Sequence, residues 1–305
     1  MSVLKWEGVY SALLTPFDGA ENIDFKLFEI NIDTQVKAGV DGLVLGGSLG
    51  ESSTLTNEEK NNLLVFAKEL VQNQVPVVLN IAEQSTRQAV KVAQDAEDNG
   101  ADSLMVLPPM RYKADDNEML EYFKTIAYNT SLPIMIYNNP HDYKCEVTLD
   151  MFEQLEKIPT IQAIKESTRD VSNVTRLKSR FKDRFKILCG VDTLAFEELV
   201  MGADGWVGGL VDAFPNETVA VYRLIKAGNY DDALKIYRWF LPLLELDIHP
   251  KFAQYIKLAA TQTGIGSEHV RAPRLKLVGQ ERERILKLIN NAIKNRHEIL
   301  YCLQS

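Results

Sequence analysis

The sequence is poor in the residues that cross-link small folds or build metal centres. It has 3 cysteines and 4 histidines among 305 residues. Cys145, Cys189 and Cys302 are odd in number and widely spaced, which fits neither a disulfide framework nor a CxxC metal or redox site, so we expect free thiols. The histidines are scattered and show no zinc-ligand spacing. We therefore expect no metal and no cofactor.

Positive charge and long apolar runs are also scarce. The net charge is -8, and such an acidic surplus argues against a nucleic-acid partner, which needs a basic surface. Met1 to Phe17 is interrupted by Lys5 and Glu7, unlike a signal peptide. The apolar cluster Trp239 to Leu246 contains Pro242 and is too short to span a bilayer. We expect a cytoplasmic protein with no membrane partner.

What the sequence does contain is an alternation of short apolar runs with amphipathic stretches. The runs read as eight strands: Val9 to Leu14, Gly42 to Leu45, Val75 to Ile81, Ser103 to Leu107, Ile134 to Tyr137, Ala163 to Lys165, Ile187 to Cys189 and Gly205 to Val207. Between them lie segments with helical periodicity, such as 57–72, 86–99 and 120–129. This order predicts parallel strands with right-handed crossovers.

A repeated four-residue motif that begins with glycine marks three of the junctions between helix and strand. It reads GVDG at 39–42, GADS at 100–103 and GADG at 202–205, each followed by an apolar run. A glycine after a helix is the usual left-handed cap, and a short polar turn then leads into the next strand. Eight such units favour a closed (β/α)8 TIM barrel, although a doubly wound open sheet has the same local pattern.

The pattern becomes purely helical after Phe214 and Pro215. Helical periodicity covers 217–226, 230–246, 251–263 and 280–294. We expect an α/β chain with the barrel and its active site in residues 1–225 and a C-terminal helical bundle in 226–305.

In a parallel barrel the catalytic side chains project from the C-terminal ends of the strands, and Lys165 closes the sixth. A buried lysine there would have a lowered pKa and could attack a ketone to form an iminium. A lysine at a strand end is nevertheless more often a solvated boundary residue. Position alone does not decide between the two interpretations.

Two further strand ends carry candidate residues. Tyr137 ends the fifth strand and could shuttle protons, although a tyrosine with its ring in the core and its hydroxyl in water is the commoner case. The loop GGSLGE at 46–51 offers backbone amides and the Ser48 hydroxyl to a carboxylate, but it could also be a plain glycine-rich turn. We also expect Gly47 from this loop and Asn139, two residues after Tyr137, to contact the substrate.

Three segments together, GSLGES at 47–52, YNNP at 137–140 and KES at 165–167, resemble the dihydrodipicolinate synthase and N-acetylneuraminate lyase superfamily. The resemblance covers nearly the whole chain. It implies a class I lyase whose Lys165 forms a Schiff base with a 2-oxo acid, usually pyruvate, with Tyr137 as proton shuttle. It further implies that Ser48 and the amide of Leu49 hold the substrate carboxylate, that Gly190 and Gly208 line the pocket, and that the chain forms a dimer or tetramer.

The sequence departs from the synthase pattern at three places. The arginine expected after YNxP, which grips the carboxylate of the second substrate, is absent from HDYK at 141–144. The tyrosine pair expected after Pro108 is replaced by Pro109, Met110, Arg111 and Tyr112. Leu49 replaces a second hydroxyl residue. These departures make synthase activity an alternative rather than the leading expectation.

The leading expectation concerns a catabolic subgroup. The combination of LPP at 107–109, YNNP with Tyr143 and Lys144, and WFLPLLELD at 239–247 resembles deaminases of 1-pyrroline-4-hydroxy-2-carboxylate, which release 2-oxoglutarate semialdehyde in hydroxyproline breakdown. On this resemblance Lys165 would open the cyclic imine, with loss of water and ammonia. The alternatives are 4-hydroxy-tetrahydrodipicolinate synthase or another pyruvate-dependent aldolase and, more remotely, a noncatalytic barrel that binds a metabolite.

Overall fold

Eight parallel strands close into a barrel in chain order, each bonded to the next and the eighth to the first. The structure is a computed structural model that describes residues 4–109 and 112–300, with side chains to residue 296. The strands are β1 (Gly8–Ala12), β2 (Gly42–Leu45), β3 (Val77–Ile81), β4 (Ser103–Val106), β5 (Ile134–Asn138), β6 (Ile161–Glu166), β7 (Lys186–Cys189) and β8 (Gly205–Gly208). The predicted barrel is confirmed, and an open sheet is excluded.

Helices surround the barrel and continue beyond it. The described part of the chain has α1 (Phe25–Ala38), α2 (Asn57–Val71), α3 (Thr86–Asp98), α4 (Asp116–Tyr128), α5 (Pro140–Tyr143), α6 (Leu149–Leu155), α7 (Ser172–Phe181), α8 (Ala195–Val200), α9 (Pro215–Lys226), α10 (Tyr230–Leu244), α11 (Phe252–Gln262) and α12 (Gly279–Leu300). In the C-terminal helical bundle that the sequence predicted, α12 packs against both α10 and α11, and α10 packs on α9. The division at residue 225 remains a prediction.

The repeated four-residue motif at 39–42, 100–103 and 202–205 has a structural explanation. Gly39, Gly100 and Gly202 all have positive φ, between 80° and 104°, which suits the left-handed cap that ends each helix. The aspartate two residues later turns back to the preceding strand. Asp41 accepts a hydrogen bond from the amide of Val9, Asp102 from that of Val77 and Asp204 from that of Ile187, at 2.7 to 2.9 Å. Each repeat therefore ends a helix and fastens the start of one strand to its neighbour.

The strand bounds differ from the predicted ones by two residues at most. One such difference is at β1, which was expected to run to Leu14 and ends at Ala12. The amide of Leu14 donates to the buried carboxylate of Asp212, at 3.1 Å, instead of to a strand. A side-chain acceptor has thus replaced the backbone ladder at the mouth of the barrel.

Two observations bear on the expectations from composition. No helix in the described ranges is long and apolar enough to cross a membrane. Cys145 and Cys189 are buried free thiols, and Cys302 lies outside the described residues.

Candidate active site

A cavity of about 290 Å³ opens at the C-terminal ends of the strands. Seven of the eight residues proposed from the sequence line it: Gly47, Ser48, Leu49, Tyr137, Asn139, Lys165 and Gly190. The rest of the lining includes a segment of the C-terminal region, residues 247–250 together with Phe252. The cavity is therefore built by the barrel and the C-terminal region together.

Lys165 lies one residue before the end of β6, and its side chain is 6% exposed. Its neighbours in register are Tyr137 on β5 and Leu188 on β7. Burial lowers the pKa of the Lys165 amine, an effect that the nearby Tyr143, Asp247 and Asp192 partly oppose. The buried interpretation of this lysine holds, so a neutral amine is available at lower pH than for a solvated lysine.

Tyr137 presents its ring to the amine of Lys165, whose Nζ lies 4.2 Å from the ring centre. Burial raises the pKa of Tyr137 to about 12, so its hydroxyl is protonated at neutral pH. The side-chain amide of Asn139 donates to this hydroxyl at 3.2 Å and to Asp142 at 2.7 Å. Asn139 therefore orients the phenol from the loop that follows β5.

Ser48 projects from the glycine-rich loop after β2 and meets Tyr143 from α5. Their hydroxyl oxygens are 2.5 Å apart, so one donates a hydrogen bond to the other. The Tyr143 ring stands edge-on to that of Tyr137, with ring centres 5.6 Å apart, and burial raises the pKa of Tyr143. Ser48, Tyr143 and Tyr137 thus form a row of hydroxyl groups beside Lys165.

The glycine-rich loop is fixed from behind by buried contacts. Thr15 donates to the carbonyl of Gly50 at 2.7 Å, and Asn80 donates to the carbonyl of Gly46 at 3.0 Å. Glu51 is fully buried and lies 2.5 Å from the amine of Lys257 on α11. Glu51 is not part of the cavity lining, so it anchors the loop instead of facing a substrate.

The two glycines proposed from the resemblance occupy different environments. A side chain on Gly190 would overlap the Ser167 hydroxyl and would come within 2.7 Å of Cε of Lys165, so the space beside the lysine depends on this glycine. Gly208 does not line the cavity, because it faces the Trp206 indole and the Asp192 carboxylate. Its neighbour Gly209 lines the cavity instead.

Sequence reasoning missed several charged residues at this site. Asp192, just after Gly190, is fully buried and accepts hydrogen bonds from the indole nitrogen of Trp206 at 2.9 Å and the amide of Leu210 at 2.8 Å. Asp247 and Arg169 line the cavity from the segment after α10 and the loop after β6. Burial and Asp192 raise the pKa of Asp247. Only the strand-end position of Arg169, four residues after Lys165, could have drawn attention to it.

Two residues at the expected tyrosine pair, Met110 and Arg111, lie outside the described residues. Within the described ranges, no group of three or more histidine, cysteine, aspartate or glutamate side chains is placed to hold a metal ion. The chemistry that these residues can offer is a buried amine, a row of hydroxyl groups and several carboxyl groups.

A barrel with a buried lysine near the end of its sixth strand, over a tyrosine ring, has the arrangement of a class I lyase, an enzyme that binds substrates through a lysine Schiff base. The chain belongs to the Dihydrodipicolinate synthetase family, which matches residues 5–292. This membership confirms the enzyme class and the superfamily expected from the sequence. The noncatalytic alternative has no support from it.

Curated relatives of the chain are named for one reaction. A 4-hydroxy-tetrahydrodipicolinate synthase of Exiguobacterium sibiricum is 34% identical over 90% of this chain and 93% of its own length. The protein of the same name in Bacillus subtilis is 31% identical over 92% and 97%. The solved structure of the synthase from Methylacidiphilum fumariolicum SolV superposes with a TM-score of 0.92, at 28% identity, covering 97% of this chain and 98% of that one.

These comparisons overturn the expected deaminase. The similar curated proteins are named synthases, which agrees with the alternative and not with hydroxyproline breakdown. The segments that suggested a deaminase also have structural roles. Trp239 stacks on Phe240, Phe240 packs against Phe214, and Tyr143 contacts Ser48 and Tyr137. Packing therefore accounts for Trp239 and Phe240, whereas Tyr143 and Asp247, the last residue of the 239–247 segment, line the cavity.

Proposed function

We propose that this chain joins a 2-oxo acid, with pyruvate as the first candidate, to an aldehyde through a Schiff base on Lys165. The reaction of 4-hydroxy-tetrahydrodipicolinate synthase is the first one to test. The observation that carries the proposal is the buried amine of Lys165, with its lowered pKa, next to Tyr137 in the cavity. The names of the relatives support it. So does a similar solved structure, the dihydrodipicolinate synthase of Acinetobacter baumannii complexed with pyruvate, at 25% identity and a TM-score of 0.89.

The first half of the reaction makes a nucleophile from the 2-oxo acid. The neutral Lys165 amine attacks the ketone carbon, and the carbinolamine loses water to give an iminium. Loss of a proton from the adjacent methyl group then gives an enamine. In this proposal Tyr137 carries protons in these steps, and the hydroxyl of Ser48 and the amides of Gly47 and Leu49 bind the carboxylate; all four residues line the cavity.

The second half forms the new carbon bond and releases the product. The enamine carbon adds to the aldehyde carbon, and the aldehyde oxygen takes up a proton. Water then hydrolyses the iminium and returns the free amine of Lys165. In this scheme Asn139 orients Tyr137, and Gly190 leaves room for the lysine side chain.

The test combines trapping with turnover. Borohydride added to enzyme and pyruvate should reduce the iminium and leave one covalent adduct on Lys165, detected by peptide mass spectrometry. Lys165→Ala should give no adduct. Condensation of pyruvate with L-aspartate 4-semialdehyde is then measured in the same preparation. An adduct at another lysine, or none with wild-type protein, would refute the proposal.

One observation favours a second candidate, another pyruvate-dependent aldolase. Asp142 lies in the cavity lining, in the stretch where the synthases carry their arginine, and Leu49 offers no hydroxyl. An acidic group there disfavours a purely anionic aldehyde at that position. Pyruvate trapping without consumption of aspartate 4-semialdehyde would support this candidate.

The homo-oligomer that the family resemblance implies also remains a proposal, and light scattering of the purified protein can test it.

A further inference from the structure

The cavity contains a guanidinium group that the mechanism above does not use. Arg169 follows β6, has a positive φ of 62° and is exposed at the cavity mouth. No residue in the described ranges forms a hydrogen bond or an ion pair with its side chain. A guanidinium presents a planar set of donors that matches a carboxylate in two parallel hydrogen bonds. Arg169 is therefore free to bind an anionic group entering the cavity.

A carboxyl group in the same cavity is also unused. Asp247 is partly buried in the segment between α10 and α11, and it reaches the cavity across Gly209, where any larger residue would overlap its carboxyl group. No hydrogen bond to the Asp247 carboxyl oxygens comes from the residues that the structure describes. It lies close enough to Lys165 and Arg169 to feel both charges, yet it forms an ion pair with neither. A half-buried carboxyl without a donor is costly unless a ligand supplies one.

These two groups differ from the 2-oxo acid subsite in place and in charge. The glycine-rich loop and Ser48 surround one side of Lys165, whereas Arg169 and Asp247 come from the loop after β6 and from the C-terminal region. A guanidinium donor and a carboxyl acceptor together suit a molecule that carries both an anionic group and a hydrogen-bond donor. Lys165 is buried whereas Arg169 is exposed in the same cavity, so an aldehyde approaching the Schiff base would meet Arg169.

We propose that Arg169 and Asp247 form the acceptor subsite, with Arg169 binding a carboxylate of the aldehyde and Asp247 binding its amino or hydroxyl group. The inference rests on the proposed function and names the substrate class of the same site. Arg169 supplies the cation that is missing from residues 141–144, from a different loop. An ammonium group beside Asp247 would offset the burial of its carboxyl group and keep it ionised.

The experiment compares three aldehydes at saturating pyruvate. L-aspartate 4-semialdehyde has a carboxylate and an ammonium group, succinate semialdehyde has the carboxylate alone, and propanal has neither. Arg169→Gln and Asp247→Asn are tested against matched controls. Arg176→Gln changes an arginine paired with Asp170 outside the cavity, and Glu245→Gln changes an exposed acid two residues before Asp247.

For Arg169→Gln we expect kcat/KM to fall ~10- to 100-fold on both carboxylate aldehydes and to stay unchanged on propanal, because a charge-assisted hydrogen bond is lost. For Asp247→Asn we expect the preference for aspartate 4-semialdehyde over succinate semialdehyde to fall by about 10-fold or more. The pyruvate adduct should still form under borohydride in both variants, as in the controls, although Asp247→Asn removes a charge that raises the pKa of Lys165.

Three results would overturn the inference, and one of them would also end the proposed function. Variants that match their controls on all three aldehydes would remove the roles of Arg169 and Asp247. Trapping of pyruvate without consumption of any of the three aldehydes would remove the substrate class and leave the Schiff base standing. Failure of wild-type protein to trap pyruvate would refute the proposed function, and the acceptor subsite would fall with it.

Discussion

The amine nitrogen of Lys165 lies 4.2 Å from the centre of the Tyr137 ring. The two residues are partners in register on adjacent strands, so the barrel itself sets this separation. The same burial acts in opposite directions on them, lowering the pKa of the amine and raising that of the phenol to about 12. At neutral pH the pair therefore combines an amine that loses its proton more readily than usual with a phenol that keeps its proton.

The pH profile of the first step should report the lowered pKa of Lys165. Attack on pyruvate needs the neutral amine, so activity is present above this pKa and is lost as the pH falls through it. We expect the acid limb of kcat/KM for pyruvate below ~10.4, the value for a solvated lysine. The measurement is the rate of pyruvate consumption across the range from acid to alkaline pH at constant ionic strength, and a limb at the solvated value would show that Lys165 is not desolvated.

Replacement of Tyr137 by phenylalanine separates imine formation from later proton transfers. Tyr137→Phe keeps the ring beside Lys165 and removes only the hydroxyl that Asn139 contacts. We expect kcat to fall ~10²- to 10⁴-fold, the usual contribution of a positioned proton-transfer group, while the pyruvate adduct remains trappable by borohydride. Wild-type turnover in Tyr137→Phe would show that another group carries the proton.

A substitution at Gly190 tests how far catalysis depends on the position of the Lys165 side chain. In Gly190→Ala the new methyl group would overlap Ser167 and crowd Cε of Lys165. Because small displacements of a reacting group are costly, we expect at least a ~10-fold loss of kcat/KM with the barrel still folded. Gly19→Ala, where the nearest atom would be 3.7 Å away, is the matched control. Equal activity of the two variants would mean that Lys165 can relax around the methyl group.

The barrel and the position of Lys165 could be predicted because both depend on local pattern. Short apolar runs, helical periodicity and left-handed glycine caps recur along the chain, and a strand-end lysine follows directly from them. The sequence predicted that Gly208 lines the cavity, but Gly209 lines it and Gly208 faces Asp192. The prediction was therefore wrong by one residue. Such a shift depends on the local turn of the backbone, which the sequence pattern does not resolve.

The residues whose roles could not be predicted are brought to the site by contacts between distant parts of the sequence. Asp247 lies 82 positions after Lys165 by their numbers, and although the 239–247 segment was compared with a deaminase subgroup, nothing in its sequence showed that Asp247 reaches the cavity. Glu51 belongs to a segment that suggested catalysis, but its carboxylate is buried against Lys257 on α11. Only the packing of the C-terminal helices across the barrel mouth reveals which acid faces the cavity and which one supports the loop.

The buried ion pair between Glu51 and Lys257 should support both stability and the loop of Ser48. Burial lowers the pKa of Lys257 to about 8, and Glu51 opposes this shift. Lys257→Met would remove the closest cation from the carboxylate of Glu51 and leave it the guanidinium of Arg274 at 3.7 Å and the amide of Arg271. A fully unpaired buried charge typically costs ~3 to 5 kcal/mol of unfolding free energy, so we expect a loss of ~2 to 4 kcal/mol. Lys251→Met, in the half-exposed pair with Glu281, should cost at most ~1 kcal/mol.

Urea unfolding of the two lysine variants measures this difference. The double variant Glu51→Gln with Lys257→Met should recover part of the loss, because no unpaired buried charge remains. Equal unfolding midpoints for Lys257→Met and Lys251→Met would contradict a structural role for the buried pair.

Glu198 should make the protein less stable as the pH rises. It is fully buried on α8 near Glu166, and burial followed by the charge of Glu166 raises the pKa of Glu198 to about 8. The unfolded chain has a glutamate pKa of ~4.3, so between this value and about 8 the folded state binds more protons and its stability falls with increasing pH.

Glu198→Gln should raise the unfolding free energy at about pH 8 by on the order of 1 to 3 kcal/mol and by little below about pH 5. Glu197→Gln, at an exposed neighbour that contributes least to the raised pKa of Glu198, should show a much smaller trend. Urea titrations at several pH values measure both variants, and a gain for Glu198→Gln that does not change with pH would contradict the raised pKa.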